Sequence, residues 1–186
     1  NIYVVNFDGK LGKFDYDLPD HLSFEEISTD LDFKYSVSIH EMYTYGQYFY
    51  FPDYYNKKIY KVKKDGSSTE VIPTQYIPMD YMAIVDENTF YTTSEDSSKL
   101  FLYENSAFTE IGSGVKGYLD GDLKDAKFDR PRQIVIDKEG NLLLLDITGA
   151  SSNTIKLREI KLSGELKIES GDTYKDFYIR SLDDLL

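Results

Sequence analysis

The sequence predicts an all-β protein made of repeated antiparallel sheets. Tyr and Phe number 17 and 11 among the 186 residues, and both residue types favour strands. Short apolar or alternating runs recur along the chain, and turn residues such as Gly, Asp and Asn separate them. Short runs with period-two alternation indicate strands joined as hairpins and meanders, not helices.

The clearest unit of the sequence follows an acidic, glycine-marked loop at 117–129. A strand can begin at Pro131, and a turn at 137–141 separates the first two apolar runs. The strands expected in this unit are Ile134–Ile136, Leu142–Leu145, Ile155–Leu162 and a last one near Glu165–Ile168. The unit is therefore predicted to be a four-stranded antiparallel meander.

The same succession of strands and turns recurs upstream at nearly regular spacing. Segments of matching character begin at Asn1, Gln47, Asn88 and Asn141, so successive separations are 46, 41 and 53 residues. A four-stranded blade of a β-propeller takes about 40–45 residues. We therefore predict a single β-propeller domain over 1–186, with about four antiparallel four-stranded blades. The predicted boundaries are roughly 1–30, 36–73, 77–112 and 117–170, followed by an extra strand and a tail at 171–186.

The predicted strands of the first three units follow in chain order. In the first unit, strands are expected at 2–5, 10–14 and 24–27. A short helical turn at 23–27 is the alternative to the third strand. This unit is expected to lack its innermost strand. The second gives 39–43, 48–51, 58–62 and 69–72, with Asp65 and Gly66 forming a hairpin turn. The third gives 81–85, 89–93, 100–103 and 108–111.

The unit at 117–160 resembles the NHL repeat, which forms one blade of a propeller. The matching residues are Gly117, Tyr118, Asp120, Gly121, Ala126, Phe128, Pro131, Ile134, Asp137, Gly140, Asn141 and Asp146. The stretch at 48–66 is also similar to YWTD-type and TolB-like propellers. Because these relatives usually have six blades, the resemblance implies part of a six-bladed ring. Its two open sheet faces would be covered by other residues or by a partner.

Composition excludes several classes of function. The formal net charge is −12 and the pI is about 4.6, which disfavours binding to nucleic acid and to anionic lipid. No apolar run approaches the ~20 residues that span a bilayer. The chain contains no Cys, so disulfides, thiolate metal sites and cysteine nucleophiles are excluded. The chain begins with Asn1 rather than Met. With the resemblance to bacterial surface propellers, this start favours a secreted, periplasmic or cell-surface protein that is processed or part of a longer chain.

The acidic loop is the first candidate binding region. Asp120, Asp122 and Asp125 follow Tyr118 closely, and carboxylate oxygens are the ligands that Ca²⁺ prefers. The spacing does not match the known calcium-loop pattern. A turn with glycines for backbone freedom and Phe128 packed beneath it is therefore the favoured interpretation, and we predict no metal and no cofactor.

A dense group of tyrosines around one hairpin is the second candidate region. Its members are Tyr43, Tyr45, Tyr48, Tyr50, Tyr54 and Tyr55. Cross-strand packing explains most of them, with Phe49 and Phe51 on the opposite face from Tyr48 and Tyr50. Tyr54 and Tyr55 follow Pro52 and Asp53 in a loop, where exposed aromatic rings are typical of binding surfaces.

Signals for catalysis are weak. His21 and His40 lack a partner at motif spacing, so the histidine-rich site of NHL-type lyases is not reproduced. The serine pairs lie in predicted loops and outside a nucleophile motif. Propeller lactonases use a Glu/Asn/Asp metal set in the central channel, and the residues of matching type are Glu87, Asn88, Asn141 and Asp146. These positions also suit hairpin turns.

We therefore predict a non-catalytic binding or scaffolding module whose rim loops contact a neutral or basic protein, peptide or glycan. The alternative is a metal-assisted lyase or lactonase acting in the central channel.

Overall fold

The computed structural model describes residues 2–5, 10–14, 24–28, 41–75, 77–122, 124–148, 154–161 and 167–170. These residues form fifteen strands in four antiparallel sheets, and none of them is helical. Within this part of the chain, no segment has the helical length and hydropathy needed to cross a membrane. His21, His40 and the predicted strand and tail at 171–186 lie outside the described residues.

Each sheet is a meander in which a strand pairs with the next one along the chain. The first sheet contains β1 (Ile2–Val5), β2 (Leu11–Phe14) and β3 (Phe24–Ser28). The second contains β4 (Tyr43–Tyr45), β5 (Tyr48–Asp53), β6 (Lys58–Lys63) and β7 (Thr69–Pro73). The third contains β8 (Met82–Asp86), β9 (Thr89–Ser94), β10 (Lys99–Glu104) and β11 (Ala107–Ile111). The fourth contains β12 (Pro131–Ile136), β13 (Leu142–Thr148), β14 (Thr154–Lys161) and β15 (Lys167–Ser170).

The four sheets stack face to face in chain order. Alternation along β5 shows how this happens: Phe49 and Phe51 pack in the cluster shared with the first sheet, whereas Tyr50 packs in the cluster shared with the third. A further cluster joins the third and fourth sheets and is centred on Leu100 and Leu144. Tyr48 packs on the same side as Tyr50, so the predicted division of aromatic rings between the two faces is confirmed.

The first strands of the second, third and fourth sheets lie side by side, with β8 between β4 and β12. Stacked meanders whose first strands meet in this way are consecutive blades of a β-propeller, so the predicted all-β propeller fold is confirmed. Three strands of the first sheet lie within the described residues.

The structure decides one open alternative and shifts the bounds of one strand. The strand predicted at 24–27 is confirmed as β3, which pairs antiparallel with β2, and the alternative helical turn does not form over the described residues 24–27. The strand predicted at 39–43 begins at Tyr43 within the described residues. A two-residue turn joins Tyr45 to its cross-strand partner Tyr48 and therefore fixes where β4 ends.

The meander topology places the loops at two opposite ends of the sheets. One end, called here the upper rim, carries the β5–β6 loop (54–57), the β9–β10 loop (95–98) and the connections 74–81 and 112–130. The other end, called the lower rim, carries the turns that join the first strand of a sheet to the second, including 46–47, 87–88 and 137–141. The predicted binding residues therefore all belong to the upper rim.

Candidate binding surface on the upper rim

The acidic loop is organised around Arg158, a residue of β14 whose side chain is 0% exposed. Its Nη1 donates to the carbonyl oxygen of Lys127 at 2.7 Å and to Asp146 Oδ2 at 3.0 Å. Its Nη2 donates to the carbonyl oxygen of Leu119 at 2.9 Å and to Asp120 Oδ1 at 2.7 Å. One guanidinium thus holds both arms of the loop and two carboxylates.

Aromatic rings complete the surroundings of this guanidinium. Its central carbon lies 4.8 Å from the centre of the Tyr118 ring and 4.6 Å from that of Phe128. The ammonium of Lys156 lies 3.5 Å from the centre of the same Tyr118 ring. Cation–π contacts with two basic residues therefore fix Tyr118 in place, while its side chain stays half-buried.

Asp146 is the buried counter-charge of Arg158. Its Oδ1 accepts hydrogen bonds from the backbone N–H groups of Asp129 at 3.1 Å and of Arg130 at 3.0 Å. Burial raises the pKa of the Asp146 carboxyl, and the Arg158 charge and these backbone donors act in the opposite direction. Asp146 therefore anchors the end of the loop where it enters β12.

The other two acidic candidates occupy the tip of the loop. The backbone N–H groups of Asp125 and Ala126 donate to the carbonyl oxygen of Asp122 at 2.9 Å each, which forms a compact turn. Leu119 and Lys127 form an antiparallel bridge below it. Asp122 and Asp125 are exposed, whereas Asp120 is half-buried. Across the described ranges, no group of three or more His, Cys, Asp or Glu side chains is placed to hold a metal ion.

The loop at 54–57 presents the Tyr54–Tyr55 pair. Buried Asp53 fixes this loop, accepting from the backbone N–H of Asn56 at 3.1 Å and from its side-chain amide at 2.8 Å. The Tyr54 hydroxyl donates to Asp96 Oδ2 at 2.5 Å. That hydrogen bond, together with burial, raises the pKa of Tyr54 to about 12. The Tyr55 ring packs edge-on against Tyr54 with centroids 5.2 Å apart and is 67% exposed.

The turn at 95–98 connects the tyrosine pair with the acidic loop. Asp96 accepts the Tyr54 hydrogen bond on one side. On the other side, the Ser98 hydroxyl donates to the carbonyl oxygen of Asp129 at 2.9 Å. The two regions singled out in the sequence therefore form one continuous surface across three loops. The sequence analysis considered Ser98 only as a nucleophile and did not single out Asp96, although both lie in the loop equivalent to 54–57.

The four residues considered for a lactonase-like metal set are divided between the two ends of the sheets. Asn88 lies in a lower-rim turn, where its side-chain oxygen accepts from Lys61 Nζ at 2.9 Å. Asn141 lies in another lower-rim turn and donates from its backbone N–H to Asp137 Oδ1 at 2.8 Å. Asp146 lies at the opposite end of β13 and forms an ion pair with Arg158. The side chains of Asn88, Asn141 and Asp146 are therefore bonded to Lys61, Asp137 and Arg158 respectively.

The sequence analysis missed a cavity between the first strands of three blades. Its volume is about 340 Å³, and its polar lining comes from Glu41, Tyr43, Tyr81 and Gln133. These residues lie at or near the starts of β4, β8 and β12, towards the upper rim. These residues occupy equivalent positions in successive repeats. The sequence alone does not show this equivalence, because it depends on where each strand begins.

Comparison with known proteins supports the fold without identifying a family. No protein-family model matches the sequence, and no curated protein matches it. Among solved structures, the chain is similar to a nidogen/laminin complex, at 15% identity and TM-score 0.60 over 91% of this chain and 61% of that one. It is also similar to an auxiliary nutrient binding protein from Bacteroides thetaiotaomicron, at 16% identity and TM-score 0.58 over 90% and 44%.

A third similar structure is a catalytically inactive virginiamycin B lyase from Staphylococcus aureus with quinupristin. The identity is 14% and the TM-score 0.57, over 92% of this chain and 55% of that one. The chain therefore spans between 44% and 61% of the length of these three matched chains. At such identities the likeness shows the propeller fold, which serves both binding proteins and enzymes.

Proposed function

We propose that this protein is a non-catalytic binding or scaffolding module that presents its upper-rim loops to a protein, peptide or glycan. The observation that carries the proposal is the Tyr54–Tyr55 pair. Tyr55 exposes 67% of its surface, yet its position is fixed by Tyr54, which Asp96 holds in turn. An exposed aromatic ring that is already ordered loses little entropy on binding, so it is suited to anchor a partner.

The charge of the same surface indicates the chemistry of the partner. Asp122 and Asp125 are exposed at the tip of the acidic loop, and the chain carries a net charge of −12. Such a field attracts basic partners, tolerates neutral ones, and repels nucleic acid and anionic membranes. Tyr118 and Asp120 support this surface from below through their contacts with Arg158.

The proposal includes membership of a larger NHL-like ring of six blades. The outer face of the fourth sheet carries Val135 and Ile155, which are 55% and 56% exposed. Cross-strand pairing sets Leu143 opposite Val135 and Ile147 opposite Ile155, so the face is aliphatic across three strands. An aliphatic sheet face of this kind suits a further blade, as on both sides of the second and third sheets. A secreted, periplasmic or cell-surface location belongs to the same proposal.

A metal-assisted lyase or lactonase is the less favoured function. Its candidate ligands are divided between the lower rim and the buried ion pair. Melting curves with and without EDTA test this alternative directly, because removal of a bound divalent ion lowers the melting temperature of a protein that holds it.

The binding proposal is tested by probing a glycan array and a peptide array with the wild-type protein and two variants. Tyr55→Ala removes the exposed ring on the upper rim. Tyr45→Ala removes a 39%-exposed ring beside a lower-rim turn and is the matched control. We expect Tyr55→Ala to weaken the retained ligands by tenfold or more and Tyr45→Ala to leave them unchanged. Equal effects of the two variants, or full binding by Tyr55→Ala, would refute the proposal.

A further inference from the structure

The cavity between β4, β8 and β12 has a polar end and an apolar wall. Glu41, Tyr43 and Tyr81 line its polar end, and Ile84, Ile134 and Ile136 belong to its wall. Its volume of about 340 Å³ lies at the small end of the range of ligand sites. Because three blades each contribute to its lining, the cavity depends on how neighbouring blades pack.

Glu41 contributes a carboxylate to the cavity. Its carboxylate accepts a hydrogen bond from the Tyr43 hydroxyl at 2.6 Å. In the described part of the chain it forms no ion pair with a Lys or Arg side chain. Arg132, whose charge acts on the Tyr81 hydroxyl, is already paired with Glu95 at 2.9 Å.

The two phenols beside Glu41 stay neutral at physiological pH. Burial raises the pKa of Tyr43, and the hydrogen bond to Glu41 raises it further. Burial likewise raises the pKa of Tyr81, against the opposing effect of Arg132. The rings therefore offer neutral π faces next to one anionic carboxylate, the combination that favours an organic cation.

We propose that this cavity binds a guanidinium or ammonium group carried on an aliphatic stem. Glu41 forms the ion pair, Tyr43 and Tyr81 contact the cation, and the isoleucine wall contacts the stem. A lysine or arginine side chain of a peptide and a free alkylamine share this chemistry. The site is distinct from the Tyr54–Tyr55 surface and goes beyond the function proposed above.

The test uses isothermal titration calorimetry with N-acetyl-arginine amide and its uncharged isostere N-acetyl-citrulline amide. We expect saturable binding of the arginine amide and at least tenfold weaker binding of the citrulline amide. Glu41→Gln should weaken binding of the arginine amide by about tenfold. Glu139→Gln removes the same charge from an exposed residue in a lower-rim turn and should leave binding unchanged.

Further variants separate the chemical contributions and the source of the cation. Tyr81→Phe keeps the ring and should retain binding, whereas Tyr81→Leu should weaken it several-fold. A Gly-Arg-Gly peptide that binds at least as tightly as the amide identifies a peptide source, and tighter binding of pentylamine identifies a free amine.

The proposal is overturned if arginine and citrulline amides bind equally, if neither binds, or if Glu41→Gln matches Glu139→Gln. Tyr55→Ala should bind the arginine amide normally. Failure of the rim proposal and failure of this one are therefore distinguishable.

Discussion

Replacing Arg158 by Met tests whether the buried guanidinium holds the acidic loop. The substitution removes four hydrogen bonds, to the carbonyl oxygens of Leu119 and Lys127 and to the carboxylates of Asp120 and Asp146. Asp120 is half-buried, so water can solvate its carboxylate when the guanidinium is removed. The loss of this hydrogen bond therefore costs little. Asp146 is 0% exposed, and removing one partner of a buried ion pair costs about 3–5 kcal/mol. We therefore expect the free energy of unfolding to fall by about that amount.

A second substitution identifies the source of this loss. Adding Asp146→Asn to Arg158→Met removes the uncompensated buried charge. Neutral replacement of both partners is often tolerated, so the double variant should be more stable than Arg158→Met alone. Asp146→Asn on its own leaves Arg158 with Asp120 as its remaining counter-charge and should be intermediate. This non-additivity is the signature of a coupled pair.

The assay combines urea unfolding with hydrogen exchange of the Asp129 and Arg130 amides, which donate to Asp146. Both amides should exchange faster in Arg158→Met. The matched control is Arg132→Met, which breaks the part-exposed pair with Glu95 and should cost at most about 1 kcal/mol. If Arg158→Met costs no more than Arg132→Met, the guanidinium does not organise the loop and this reasoning is wrong.

Two further predictions concern the backbone and the rim. Gly112→Ala should destabilise the protein by about 1–3 kcal/mol, because Gly112 has φ of +100° and an added Cβ would lie 2.7 Å from the Phe128 ring. Gly140→Ala, at φ of +88° with open space around it, should cost less in the same urea titration. For Tyr54, the folded-state pKa of about 12 against an ordinary value of 10.0 means that its stabilisation is complete below pH 10 and is lost as pH rises through 12. The stability advantage of wild type over Tyr54→Phe should therefore be present at pH 7 and shrink above pH 10. An advantage that grows with pH would contradict the assignment.

The architecture was predictable because its signals are local and repeated. Period-two alternation placed Phe49 and Phe51 on one face and Tyr50 on the other, and the sheets pack in that way. The spacing of repeats then indicated four blades. Strand ends were less predictable, since the end of β4 depends on a two-residue turn after Tyr45, and Gly46 with φ of +52° is only one of twelve glycines in the chain.

The role of the acidic loop could not be predicted from local sequence. Arg158 lies in an alternating run that reads as an ordinary half-exposed strand, and it is 38 residues from Asp120. Only the folded chain shows that the loop returns over the face of β14 and buries that guanidinium. The same limitation hid the cavity between β4, β8 and β12, because Glu41, Tyr81 and Gln133 come from three separate repeats.

Hydrogen bonding separates the polar residues that stabilise this fold from those available to a partner. Arg158 and Asp146 are buried and bonded to each other and to the backbone, so substitutions there should lower stability and affect binding only through the loop. Tyr55 and Glu41 each leave much of their surface open, so their substitution should alter binding at nearly constant stability. The acidic loop drew attention in the sequence because it concentrates charge. Its half-buried carboxylate, Asp120, is nevertheless already paired with Arg158, and the side chains open to a partner are Asp122 and Asp125 at the loop tip and Tyr55 and Glu41 outside the loop.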